Sequence, residues 1–190
     1  MTAFIELTCP QPVKLTIEDY TLLDRSGALD RYARTELIEG TIVAMNAQYR
    51  PHAHAKSQLA FRLLTALKDH PDGWGVIIEA SVAMPPTSMP IPDIILTTEP
   101  AGEGAIPLSS VGLLVEVSDT TLDFDLRSKA LLYARMGVPE YWVVDVQGGT
   151  IALLSGPRDD GYAERRQIAF GQPIVSATIA GLEISTEGLA

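Results

Sequence analysis

Apolar residues in this chain cluster in short runs separated by turn-forming stretches. The densest runs are Ile91–Thr97 (IPDIILT), Val111–Ser118 (VGLLVEVS) and Tyr141–Val146 (YWVVDV). Each is as short as a strand and rich in branched or aromatic residues, which predicts buried strands. Between the last two, Asp123–Met136 carries Leu126, Ala130 and Ala134 on one stripe and stops at Gly137 and Pro139, which predicts a helix. A second helical pattern covers His52–Lys68 after Arg50-Pro51, with Leu59, Leu63, Leu64 and Leu67 at helical spacing. Thr16 resembles an N-cap for a short helix with Glu18 and Asp19 in its first turn, closed by Gly27.

The remaining pattern is strand-like. Glu36–Met45 (ELIEGTIVAM) reads as two pieces around Glu39-Gly40, a hairpin or a bent strand. Trp74–Ala83 is a strand candidate, followed by a connection with four prolines between Pro85 and Pro92 that cannot lie in a central ladder. Gln147-Gly148-Gly149 suits a hairpin turn into Thr150–Leu154, and Tyr162–Phe170 and Pro173–Ile179 suit further strands. Residues 1–14, with Pro10 and Pro12, read as an irregular arm. This order describes one α/β or α+β domain over residues 1–190, a mixed sheet with helices packed on its faces.

Composition narrows the function more than the fold. The 190 residues are 46% hydrophobic and 20% charged, the profile of a globular domain. No apolar run approaches the roughly 18 residues of a membrane span, and the N-terminal residues lack the pattern of a signal peptide. The lone Cys9 leaves no internal disulfide and no Cys-rich zinc site, so a cytoplasmic protein is expected. The net charge of −10 weighs against tracking nucleic acid over a broad surface, although a local basic surface can still act alone. Lys56, Arg62 and Lys68 make the second helix locally basic; a solvated face is the simpler reading and a phosphate-contacting helix the sharper one.

Two carboxylates sit where water is scarce. Asp93 opens one apolar strand and Glu116 lies inside another. A buried ionised carboxylate costs several kcal/mol unless it is paired. If the strands are neighbours, the two converge at one end of the sheet, and a divalent cation would relieve their mutual repulsion. Asp125, Lys129 and Tyr133 are spaced along one helix face, so an ammonium could join them; a surface pair between Lys129 and Asp125 is the alternative. His52 and His54 point apart on a helix, and with only His70 remaining they do not make a zinc site; a capping or hydrogen-bonding role suits them better. Tyr133, Tyr141 and Trp142 could stack on bases but fit core positions more simply. Nucleotide-binding loops, HExxH and GxSxG are all absent.

A proline-aspartate at one strand and a glutamate in the next resemble the PD-(D/E)XK nuclease superfamily. More narrowly, ELIEGTIVAM, the histidine-bearing helix, IPDIIL, LLVEVSDTT, DLRSKALLYARMGVPEYWVVD and IVSATIAGLEIS resemble the Uma-type family of restriction endonucleases. The resemblance implies a restriction-endonuclease-like fold and Mg²⁺- or Mn²⁺-dependent hydrolysis of DNA. It implies Asp93 and Glu116 as metal ligands, Glu39 as an added acidic residue, and Lys129 as the site lysine. Ser118 stands where the wider superfamily has its lysine, two residues after the glutamate. His52 matches the family's helix-start histidine. The expected function is a metal-dependent endonuclease, as a homodimer if it cuts duplexes. A non-catalytic binding or assembly module of the same fold, and a metal hydrolase of small phosphorylated molecules, are the alternatives.

Overall fold

The structure is a computed structural model that describes residues 11–189. Most of the expected N-terminal arm lies outside those residues; residues 11–14 run without regular structure. Helix α1 (Ile17–Arg25) starts at Thr16 as expected. The Thr16 hydroxyl accepts from the Asp19 N–H, and the Asp19 carboxylate accepts from the Thr16 N–H, a complete capping box. The hairpin β1 (Thr35–Ile38) and β2 (Thr41–Ala44) turns at Glu39-Gly40, both with positive φ. Helix α2 (Arg50–Leu67) follows, then β3 (Gly75–Ile78) and β4 (Val82–Ala83). The single strand expected over Trp74–Ala83 is broken between these two, because Glu79 takes a left-handed φ of 53°.

The next elements are β5 (Ile94–Thr97), β6 (Ile106–Pro107) and β7 (Val111–Ser118), the last buried at all eight positions. Helix α3 spans residues 122–135, but its central segment Asp125–Lys129 is a π turn between two α segments. Strands β8 (Glu140–Asp145), β9 (Thr150–Arg158) and β10 (Gly161–Ala169) follow. The β8–β9 turn is tied by Asp145, whose Oδ1 accepts from the Gly148 N–H at 2.8 Å. The chain ends in β11 (Ile174–Val175) and β12 (Glu183–Ile184), a shorter pairing than the strand expected over Pro173–Ile179.

Six strands form the central sheet in the order β10-β9-β8-β7-β5-β3. Every pairing is antiparallel except β7–β8, the two strands that α3 connects. Alternation along β5 and β7 sorts side chains to two faces. Ile94, Leu96, Leu113, Val115 and Val117 pack with Leu59, Leu63 and Leu67 of α2 and with the C-terminal segment. Ile95 and Leu114 pack on the other side with α3, Val82 and Met84. Tyr133, Tyr141 and Trp142 have no exposed surface, so they are core residues and offer no stacking surface.

A buried carboxylate fastens the C-terminal segment. Glu140 Oε1 accepts from Trp142 Nε1 at 2.7 Å; its Oε2 accepts from Ser176 Oγ, Thr178 Oγ1 and the N–H groups of Ala177 and Thr178 at 2.6–3.1 Å. Glu140→Gln puts an NH₂ against one of these donor sets. The expected loss is about 2–3 kcal/mol in urea unfolding, with faster amide exchange at Ala177 and Thr178.

Candidate active site

The β5–β7 register places the two carboxylates. Ile94 pairs with Val115, so Asp93, one residue before β5, lies across from Glu116. Both are buried, at 2% and 3% exposure, and both line one cavity of about 40 Å³. That volume holds a few waters or an ion with part of its shell. The residues Gln48, Tyr49 and His52 form one wall, and Asp119, Thr121 and Asp125 another.

Donors crowd Asp93. Its Oδ2 accepts from the Val117 N–H at 2.8 Å and lies 3.2 Å from His52 Nε2. Its Oδ1 accepts from Gln48 Nε2 at 3.2 Å and lies 3.6 Å from Lys56 Nζ. Burial alone would raise the pKa of this carboxyl; His52, the Val117 N–H and Lys56 outweigh it and hold the group below the usual carboxylate range. Lys56 also contacts Glu79 at 2.7 Å, and Arg34 joins Glu79 and Glu36 at 3.0 and 3.4 Å.

Glu116 faces a different environment. Its Oε1 accepts from both Lys129 Nζ at 2.8 Å and Tyr133 Oη at 2.9 Å. Burial raises its pKa; Lys129 opposes that rise, and Asp125, Asp93 and Glu36 add to it, leaving the group pushed up to about 8. Desolvation of Lys129 is outweighed by Glu116 and Glu36, so its ammonium is held above its ordinary range. Lys129 has no exposed surface and sits between Glu116 and Glu36, whose Oε2 is 3.0 Å away.

The surface pair between Lys129 and Asp125 does not form. The π turn changes the helical phase, so Lys129 and Tyr133 reach Glu116 while Asp125 Oδ2 accepts from Ser118 Oγ and Thr121 Oγ1, each at 2.7 Å. Ser118, standing where a superfamily lysine would be, thus anchors the helix that delivers Lys129.

Glu39 is not part of this cluster. It occupies the tip of the β1–β2 turn with φ 46°, its side chain 59% exposed and 3.6 Å from Arg135. The acidic residue that β1 contributes is Glu36, fully buried inside the strand. The pattern held the clue: a glutamate beside Gly40 at a turn tip leaves the ladder, whereas one flanked by Thr35 and Leu37 stays in it. Sequence reading also missed Gln48, Arg34 and Glu79, which carry no motif and meet only through folding. His52 does meet Asp93, while His54 bonds the Gly188 carbonyl at 3.2 Å, outside the cluster.

The donors suit a hard divalent cation. Among the described residues no three His, Cys, Asp or Glu side chains form a preassembled metal cage. Mg²⁺ needs only one or two carboxylates, with water completing its shell. Asp93 and Glu116 line one small cavity, and Glu116 Oε2 accepts no hydrogen bond from the described residues.

A six-stranded mixed sheet with two carboxylates across its β5–β7 pairing defines a restriction-endonuclease-like α+β domain. The family described as "Putative restriction endonuclease", Uma2, matches residues 17–187, and the chain belongs to that family. Its fold is similar to a crystal structure described as a putative nuclease belonging to DUF820 from Anabaena variabilis. The two are 17% identical with a TM-score of 0.69, over 94% of this chain and 97% of the other. No curated protein matches the sequence. Among the described residues no helix is long and apolar enough to cross a membrane.

Proposed function

We propose that the chain is a metal-dependent endonuclease that hydrolyses DNA phosphodiester bonds. The observation that carries this reading is the juxtaposition of Asp93 and Glu116 across β5–β7 in one cavity. These two carboxylates would hold Mg²⁺ or Mn²⁺. A bound divalent cation supplies an activated water and neutralises charge developing on the phosphate. The Val117 N–H and His52 fix the Asp93 carboxylate, Lys129 and Tyr133 fix Glu116, and Glu36 fixes Lys129. The Lys129 ammonium places positive charge beneath the site without facing the cavity. Incubation with plasmid DNA and Mg²⁺ or Mn²⁺ is the direct test; intact plasmid after both counts against cleavage. The burial of Lys129 favours a second reading, a binding or assembly module of the same fold, which would leave plasmid uncut while still binding the metal.

Metal binding should be linked to protons. Glu116, pushed up to about 8, keeps in the folded state a proton that an unfolded glutamate loses near 4.5. This group therefore lowers the stability of the metal-free protein as pH rises through that window. Holding a cation requires loss of the proton, so affinity for Mg²⁺ should rise roughly tenfold per pH unit up to about 8 and then level off. Calorimetric titrations in buffers of different ionisation enthalpy should show close to one proton released at pH 7 and almost none at pH 9. Equal release at both pH values would remove Glu116 from the ligand set.

A further inference from the structure

Arg34 stands between two cavities. Among the described residues it is the single lysine or arginine lining the small cavity of Asp93 and Glu116. It also lines a larger, more open cavity of about 440 Å³ against α1 and the segment that follows that helix. The Arg34 side chain is 24% exposed; Nη1 donates to Glu79 and Nη2 to Glu36, which leaves each nitrogen a second N–H. Small-molecule sites span about 300–1,000 Å³, so the larger cavity has room for a nucleoside but not for a duplex.

The lining of that cavity suits a base better than a phosphate. Its floor is already satisfied: Tyr20 Oη donates to the Thr35 carbonyl at 2.8 Å and lies 3.0 Å from Thr35 Oγ1. Leu29, Met89 and Ile91 add partly buried apolar surface. At the wall the Tyr32 ring is 41% exposed, and Arg31, which does not line the cavity, lies over it at 4.9 Å. Exposed aromatic rings hold unpaired bases by stacking. The Asp24 and Asp30 carboxylates and the Ser81 hydroxyl complete the lining and make no side-chain hydrogen bond or ion pair among the described residues. Unpaired carboxylates repel a phosphate, yet they accept from the exocyclic amino group of a base. Charge therefore sorts a nucleotide across the two cavities, its phosphate toward Arg34 and its base away from it.

We propose that the larger cavity seats one unpaired nucleobase beside the attacked phosphate, and that it favours bases carrying an exocyclic amino group. The base stacks on Tyr32 and donates its amino hydrogens to Asp24 or Asp30, while Arg34 donates to the connecting phosphate. A base enters only when it is out of a duplex, so the preferred substrate is a single strand or a nucleotide flipped from its stack. Placement beside the attacked phosphate rests on the nuclease reading; the base seat itself rests on the cavity.

The test uses nucleosides, which carry no phosphate, and protein without divalent metal, so neither cleavage nor metal binding enters it. Deoxycytidine, deoxyadenosine and deoxyuridine are titrated into protein labelled with ¹⁵N and with ¹³C in its tyrosine rings. Saturable shifts at the Tyr32 ring and the Ser81 amide are expected with deoxycytidine and deoxyadenosine. Deoxyuridine has the shape of deoxycytidine with a carbonyl in place of the amino group, and it should bind about tenfold more weakly or worse. Tyr32→Ala should weaken deoxycytidine binding about tenfold, while Tyr32→Phe binds as wild type does. Asp24→Asn combined with Asp30→Asn should bring deoxycytidine and deoxyuridine within about twofold of each other, a loss of discrimination that a merely structural role would not produce. These side chains are exposed, so the thermal midpoint should hold in every variant. Absence of saturable shifts, deoxyuridine binding as tightly as deoxycytidine, or discrimination surviving in the double variant would each overturn the proposal. Base binding by a protein that leaves plasmid intact would remove the nuclease reading and keep the base seat; cleavage without nucleoside binding would do the reverse.

Discussion

Glu116→Gln and Asp93→Asn are each expected to reduce plasmid cleavage by on the order of 10²–10³-fold or more and to abolish calorimetric Mg²⁺ binding. Their effects on stability should differ, and that difference separates loss of a ligand from loss of the fold. In Glu116→Gln the amide oxygen can still accept from Lys129 and Tyr133, with the NH₂ taking the place of Oε2, which accepts no hydrogen bond from the described residues. The variant should therefore unfold within about 1 kcal/mol of wild type. In Asp93→Asn no orientation suits all neighbours, because donors meet both oxygens: Val117 N–H and His52 on one side, Gln48 and Lys56 on the other. A cost of about 1–3 kcal/mol follows, read from urea unfolding. Cleavage by either variant at the wild-type rate would remove that carboxylate from the mechanism.

The sheet and its carboxylates were readable because they depend on local pattern. VGLLVEVS has no helical period and one charge, so it announces a buried strand with a carboxylate in need of a partner. IPDIIL does the same one strand away. Lys129 was harder to place, because its burial depends on a π turn that no spacing rule anticipates. Glu36 and Glu39 differ by three residues; Gly40 marks Glu39 as the turn tip, and the hairpin register keeps Glu36 in the ladder. The Arg34, Gln48, Lys56 and Glu79 network joins α2 to three connecting segments and leaves no trace in linear order. Basic residues on α2 illustrate the same limit. Arg62 is spent on the Ser185 and Glu187 carbonyls and Lys56 on carboxylates, partners that helical spacing does not reveal.

Lys129→Met should be the most destabilising single substitution in this cluster. The ammonium is completely buried, 2.8 Å from Glu116 and 3.0 Å from Glu36. Methionine matches the stem but leaves two buried carboxyl groups, Glu36 and Glu116, without their cation. Breaking a buried pair in this way costs about 3–5 kcal/mol, a large share of a domain's stability. The loss should depend on pH with a definite sign. Without Lys129, which opposes its rise, Glu116 holds its proton more firmly still, and a neutral buried carboxyl is far cheaper than a charged one. Destabilisation in urea unfolding should therefore be largest near pH 8 and shrink toward pH 5. Adding Glu36→Gln to Lys129→Met should restore more than half of the loss, since one orphaned charge disappears. A loss below about 1 kcal/mol that ignores pH would show that Lys129 is not the counter-ion of this site. If cleavage collapsed while stability stayed intact, the ammonium would have to act on the substrate itself, which requires it to leave Glu36 and turn into the cavity.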